Sequence, residues 1–503
     1  MAGMTAFHSA ASAAGPLDLS RPSVITELGR LLLAHGYAGD AVPAALGTPP
    51  SSGKPHIRDD MPLYLRRLER PTPLNTFIKL FVLSQPVSEA EARDAFAPLP
   101  VEQIEALGLL SRVPAGLQAT LRLSAYNELV LAHDSYDRRG DVSEDHVLDV
   151  NPTTRTLAAL MVRRPARAAL DVGTGCGVIA LLAARFSERV VGVDTNQRAL
   201  NLARFNAALN DVHNVEFREG SLFDPVRGER FDLIACNPPY VISPESRYVF
   251  RDGNRRGHGM CEEVVRRLPD YLEAGGYASV LCNWGIGGDE EWPAPLRRWV
   301  SGSGCDAWLL CNGTQDSLTY AAAWNAGPDR VAYEDALERW TAYHRELGYE
   351  QIGLGAVILR RRQDGVAWVR TDRFPAGPID SDHTLIQRIF DNQDLLSALD
   401  SDEALLSRAF VPAPHRLEQT FSLSNGRYVA GDSQVELLAG LRFRGDVDPY
   451  TIHLLTCCDG RRTLAEIADD LTSKATTNPA EVRRAAAAIS RRLVSLGFLV
   501  PVQ

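Results

Sequence analysis

Four consecutive residues, Asn237-Pro238-Pro239-Tyr240, are the part of this sequence best equipped for chemistry. They follow Phe231 to Cys236, an apolar run that reads as a strand. A side-chain amide, two prolines of fixed φ and an aromatic ring at a strand's carboxyl end make a rigid platform. The Asn237 side-chain oxygen and the Pro238 carbonyl are hydrogen-bond acceptors, and Tyr240 offers a flat surface beside them. Upstream, Ala168 to Val172 reads as another short strand, running into Gly173-Thr174-Gly175-Cys176-Gly177 and a helical pattern from Val178 to Phe186. Such glycines permit a tight turn and let a ligand lie against backbone. A third run, Arg189 to Val193, ends at Asp194, with Thr195 after it. That carboxylate stands about twenty residues past the glycines, the spacing at which an acidic side chain grips a ribose in doubly wound sheets. Asp171 puts negative charge in the turn, where a pyrophosphate would be repelled, so a nicotinamide dinucleotide fits poorly.

With both motifs in place, the region from about 150 to 362 resembles a class I S-adenosylmethionine-dependent methyltransferase. More narrowly it is similar to the subset carrying Asn-Pro-Pro-Tyr, which includes protein-glutamine and nucleic-acid amino methyltransferases. The resemblance implies S-adenosyl-L-methionine as cofactor, with Asp171, Gly173, Thr174, Gly175, Gly177, Asp194, Thr195, Ser221, Leu222 and Asn237 around it. It implies that Asn237, Pro238 and Tyr240 handle the acceptor nitrogen. Ser221 departs from the family pattern, since many relatives carry an acidic residue there; Leu222 or Phe223 is then left to meet the adenine ring. The Asn151-Pro152-Thr153-Thr154 loop matches one that in the family closes over the methionine end of the cofactor. Its hydroxyls suit equally the capping of a helix that begins near Thr154.

The elements that must position these residues are legible as a succession of domains. At 503 residues the chain has room for about three. The pattern gives a leader, 1–20; a helical, winged-helix-like domain, 21–147; the methyltransferase-like domain, 148–362; and an α+β domain ending in a winged-helix-like module, 363–503. The fold class is α/β, a Rossmann-like, mostly parallel sheet whose last strands, Cys305 to Cys311 and Leu354 to Arg361, form an antiparallel edge. Val241 to Gly259 is polar and arginine-rich and is placed to be a substrate lid; His258, a lone loop histidine, stays outside the catalytic set. Leu318 to Leu347 reads as a long helical insertion whose Trp324 and Trp340 belong to a core.

Composition narrows the function further. Net charge is −10, which works against non-specific binding to nucleic acid. Eight cysteines show no zinc-ligand spacing, so no metal is expected, and they fit a reducing, cytoplasmic setting. No segment is long enough to span a bilayer, so no membrane partner is expected. The expected enzyme methylates an amide or amine nitrogen, glutamine-like, of a protein or peptide. An RNA or DNA base, or a small molecule methylated on nitrogen, oxygen or carbon, keeps the reaction and changes the acceptor.

Overall fold

The structure, a computed structural model, describes residues 17–48, 60–134, 143–246, 251–253, 255–327, 329–374, 383–474 and 478–502. Most of the expected leader, the linker Pro49 to Lys54 and the centre of the expected lid, 247–250, lie outside these residues. Contacts divide the chain into two units: one holds most of the chain up to Arg370, the other Thr371–Gln503 with Ala158–Arg163 and Leu310–Gly313.

The first unit opens with α1 (Pro22–Ala34), whose proline sits in the first turn, where a missing N–H is no loss. Ile25, Leu28 and Leu32 recur at helical spacing and are fully buried. Further helices follow, Met61–Arg67, Pro73–Phe77, Glu89–Phe96 and Val101–Ala106, and then a short antiparallel pair, Leu110–Val113 with Gly116–Ala119. A second antiparallel hairpin pairs β1 (Arg122–Tyr126) with β2 (Leu129–His133). The chain then enters α2 (Pro152–Leu160), β3 (Ala166–Val172), α3 (Val178–Ala183), β4 (Ser187–Asp194), α4 (Gln197–Leu209), β5 (Val215–Glu219) and β6 (Phe231–Cys236). Beyond these come α5 (Gly259–Tyr271), β7 (Leu272–Ile286), β8 (Cys305–Asp316), α6 (Ser317–Asn325), α7 (Arg330–Glu346) and β9 (Gln351–Arg361).

Seven strands of an eight-stranded sheet stand in the order β5-β4-β3-β6-β7-β9-β8, and the strand Val369–Arg373 lies beside β8 as the eighth. β3, β4, β5, β6 and β7 run parallel, and β9 runs antiparallel to β7, as the sequence pattern predicts. The order reverses at β3, flanked by β4 and β6, and in open α/β sheets such a reversal opens a crevice at the strands' carboxyl ends. Register fixes who meets there: Val172 lies opposite both Val193 and Cys236, so Gly173, Asp194 and Asn237 leave three adjacent strands at one level.

The helix α4 couples the N-terminal hairpin to this sheet. Buried Asn206 accepts from the Ala132 N–H (2.7 Å) and donates to the Ala132 carbonyl (3.0 Å) and to that of Cys176 in the glycine turn (2.9 Å). Four residues on, Asn210 treats Val130 in the same way, accepting at 2.9 Å and donating at 2.7 Å. Two amides on one helix face thus substitute for a neighbouring strand along the open edge of β2. α1 docks on the end of α4, with Thr26 donating to the Ala208 carbonyl at 2.8 Å. Gly29 is required there, since a Cβ would come within 1.8 Å of the Leu209 oxygen.

Three expectations change in detail. The helix after the glycines ends at Ala183, not Phe186. The expected long insertion is two helices, α6 and α7, the second capped by Asp329, whose side chain accepts from the Ala332 N–H. Trp340 is fully buried, whereas Trp324 is partly exposed.

In the second unit, α8 (His383–Ala398) buries Leu385, Ile386 and Ile389, and Asn392 donates to the Val494 carbonyl at 2.7 Å. Strands β10 (His415–Ser424) and β11 (Arg427–Leu437) form a hairpin whose Phe421, Leu423 and Tyr428 are exposed. Helices Pro449–Cys457, Leu464–Lys474 and Pro479–Ser495 close the unit. A capping box forms at Leu464–Lys474: the Glu466 N–H donates to Thr463 Oγ1 (3.2 Å) and the Thr463 N–H to Glu466 Oε2 (2.8 Å). Among the described residues no helix is long and apolar enough to cross a membrane.

Candidate active site

The turn after β3 owes its shape to three glycines with positive φ, Gly173 (74°), Gly175 (54°) and Gly177 (89°). At these angles a side chain is strained, whatever space is available. Gly173 is exposed at the crevice, and a Cβ on it would lie 3.4 Å from the Asn237 carbonyl oxygen. Gly175 opens onto free space, with nothing within 4 Å of such a Cβ. Gly177 faces the other way: it is buried, and Ala203 of α4 stands 3.1 Å from where its Cβ would be, so its smallness serves packing.

Asp171 is buried beneath this turn. Its Oδ2 accepts from Thr174 Oγ1 (2.7 Å) and from the Ala180 N–H (3.0 Å), which pins the loop to the first turn of α3. Loss of water pushes its carboxyl up to about 7, against the pull of those two hydrogen bonds. Of the two roles the sequence allows, fixing the loop is the one these contacts perform. The Thr174 hydroxyl is turned inward to this carboxylate, away from the crevice.

Asp194 takes a different environment. One oxygen accepts from the Gly175 N–H at 2.8 Å and the other from the Asn196 N–H at 2.9 Å. Burial raises its pKa, and the backbone donors, including that of Thr195, oppose the rise. A carboxylate has about four lone-pair positions, so with three backbone donors at it about one acceptor site remains for a hydroxyl. Thr195 and Ser221 are exposed beside it. Leu222 is half-buried and holds φ at 51°, a region that costs a leucine about 1–3 kcal/mol. Phe223 is fully buried, with its ring stacked on Tyr271 at 4.5 Å and 17°, so of the two apolar side chains at this corner only Leu222 still reaches the crevice side.

Across the turn stands the platform. The Asn237 Oδ1 is buried and has no hydrogen-bond partner, unusual for a strong acceptor kept from water. Pro238 is buried and Tyr240 half-buried. Burial raises the Tyr240 phenol, and a hydrogen bond with Thr153 opposes this. Thr153 in turn donates to Asn151 Oδ1 at 2.6 Å, and the same oxygen accepts from the Thr154 N–H at 2.9 Å. The cap on α2 is therefore Asn151, and Thr153 in the helix's first turn links that cap to Tyr240. Cys236, immediately before the platform, is fully buried with its thiol pushed up by burial, an apolar packing role. His258 accepts from the Gly285 N–H at 3.1 Å and stacks on Tyr349 (5.2 Å, 17°), so its ring is used structurally.

A Rossmann-like sheet with a glycine turn, a buried carboxylate and an Asn-Pro-Pro-Tyr segment on adjacent strand ends has the layout expected of a class I S-adenosylmethionine-dependent methyltransferase domain. Residues 143–289 of this chain match the family described as the methyltransferase small domain. Residues 34–120 match a family described as a domain of unknown function, DUF7059. Among relatives, the release factor glutamine methyltransferase of Geobacter sulfurreducens is 39% identical over 135 residues, 24% of this chain and 46% of the relative. That of Xylella fastidiosa is 44% identical over 133 residues, 24% of this chain and 48% of the relative. That of Yersinia pestis is 34% identical over 164 residues, 30% of this chain and 57% of the relative. The chain thus spans about half the length of these curated relatives. The solved ribosomal protein L11 methylase of Lactobacillus delbrueckii is 18% identical, covering 43% of this chain and 82% of that one at a TM-score of 0.25.

Proposed function

We propose that this protein is a methyltransferase that uses S-adenosyl-L-methionine to methylate the side-chain nitrogen of a glutamine, or a similar amide, in a protein or peptide. The observation that carries the reading is the orphaned Asn237 Oδ1, an acceptor buried without a donor beside an open glycine turn. The residues present fit the cofactor: Gly173 and Gly175 leave room for the methionine part, Asp194 keeps acceptor capacity for the ribose, and the half-buried Leu222 would give the adenine an apolar neighbour. When bound, it supplies a sulfonium-activated methyl group.

The chain's own residues have mainly to bring a lone pair into line. An amide nitrogen is a poor nucleophile because its lone pair is delocalised. Accepting its hydrogens at Asn237 Oδ1 and the Pro238 carbonyl orients it and disperses the positive charge that develops. Tyr240 lies under the substrate plane. The methylated nitrogen carries one hydrogen too many and is then so acidic that its proton passes to solvent with no strong base. Beforehand, the burial of this corner keeps water from competing for the Asn237 oxygen. The relatives named for release factor glutamine support the choice of acceptor. A cytoplasmic setting agrees with the free cysteines, none of them in a disulfide.

Asn237→Ala tests the mechanism. Transfer should fall by roughly 100-fold or more while cofactor affinity, titrated calorimetrically, stays nearly unchanged. Normal turnover in this variant would remove Asn237 from the reaction. Labelled cofactor incubated with fractionated cell extract tests the acceptor class, and label is expected in protein.

A further inference from the structure

We infer that the two helices beyond the family match, α6 and α7, hold the acceptor platform in register, with Tyr320 and His344 as its positioning residues. The inference rests on the reading above. The family match ends at residue 289, so neither residue belongs to it.

Ile242 lies two residues past Tyr240, and both of its backbone polar groups are taken by this helix pair. Its N–H donates to Tyr320 Oη at 3.1 Å. Its carbonyl lies 2.9 Å from His344 Nε2. A carbonyl can only accept, so Nε2 carries the proton, and Nδ1 is left to accept from Ser317 Oγ at 2.7 Å. Tyr320 Oη also accepts from Asn283 on β7 at 2.9 Å, which ties the clamp to the sheet. Tyr320 and His344 are fully buried, and the rings of both lie about 6.2 Å from that of Trp340.

The consequence follows from the chain between two anchors. Cys236 is fixed in β6 by its pairing with Val172. Pro238 and Pro239 have φ set by their rings. Holding Ile242 on both sides leaves few soft torsions between the anchors, so the Asn237 amide and the Tyr240 ring are confined as a unit. A misplacement of about 1 Å at such a group costs on the order of 100-fold in rate.

Tyr320→Phe deletes the acceptor for Ile242 while keeping the ring. His344→Leu deletes the donor, and His344→Gln offers an amide N–H near the position of Nε2. Hydrogen exchange at Tyr240, Val241 and Ile242 should speed at least tenfold in Tyr320→Phe and His344→Leu, with β3 and β4 unchanged. Methyl transfer to a glutamine-containing peptide should lose at least tenfold in kcat with the cofactor Kd within twofold, and His344→Gln should recover most of it. Unaltered exchange at these amides would overturn the inference. So would wild-type kcat in Tyr320→Phe, or equal losses in both His344 variants alongside a matching fall in Tm, the mark of a merely structural role. If the wild-type chain methylates no amide acceptor, the proposed function fails instead, and the exchange measurement still decides whether the clamp exists.

Discussion

Two carboxylates in one crevice are set to different tasks by what surrounds them. Asp171 is sealed under the turn with its pKa at about 7, whereas Asp194 keeps acceptor capacity at the crevice. A carboxyl raised in the folded state gives stability that is complete below its unfolded pKa and is lost as pH rises through the folded value. The Asp171 contribution should therefore fade between about pH 4 and 7, by a few kcal/mol at most. Asp171→Asn keeps an acceptor for Thr174 and Ala180 and cannot ionise. Its urea-unfolding stability should be flatter than the wild type's across that interval, and parallel curves would show that Asp171 does not titrate there. Leu222 offers a second test at this scale. Replacing it by glycine removes strain of about 1–3 kcal/mol and a half-buried side chain of similar worth. Tm should hardly move, while cofactor affinity should drop roughly tenfold as apolar cover for the adenine is lost. Unchanged affinity would place the adenine elsewhere.

At the level of elements, what the sequence displays is what is local. Apolar runs ending at Gly173, Asp194 and Asn237 mark β3, β4 and β6, and the glycine and Asn-Pro-Pro-Tyr motifs sit at strand ends because strand and turn chemistry are written in adjacent residues. The opposite holds for α4. Its asparagines are visible as composition, but their partners on β2 lie 74 and 80 residues away and leave no periodic trace. Tyr320 and His344 escape a reading of the sequence for the same reason, lying 78 and 102 residues from Ile242. Nor does any propensity announce a leucine at positive φ. The α4 link makes its own prediction. Asn206→Leu leaves the Ala132 N–H and two carbonyls without partners in a buried place, which should cost about 2–4 kcal/mol. Because Asn206 also holds the Cys176 carbonyl, cofactor affinity should fall with it. Asn210→Ala, less buried and with no contact to the glycine turn, should cost about 1–2 kcal/mol and spare the affinity. Chemical denaturation and calorimetric titration read both, and equal effects on affinity would break the proposed link between hairpin and turn.

For the whole molecule, the question that charge can decide is which macromolecule carries the acceptor. A net charge of −10 repels a polyanion at long range, and phosphate contacts would have to come from a local basic surface. The arginine-rich loop after the platform is the natural candidate, yet its described arginines already face acids. Arg251 lies 2.9 Å from Glu245 and 2.7 Å from Asp252, Arg255 lies 2.7 Å from Glu263, and Arg256 pairs with Glu346. Exposed pairs such as the last two are worth at most about 1 kcal/mol, so a phosphate could displace them; Arg251, nearly buried between two carboxylates, is the hardest of the three to draw away. Among the described residues of this loop every arginine is thus already paired with an acid, and the number of phosphates neutralised sets the salt slope. Transfer to a protein acceptor should therefore change by no more than a few-fold between 50 and 200 mM salt, where six or more phosphate contacts would cost roughly a thousandfold or more. A steep, linear fall of log kcat/KM with log salt would move the acceptor from protein to nucleic acid, and would leave the chemistry at Asn237 as described.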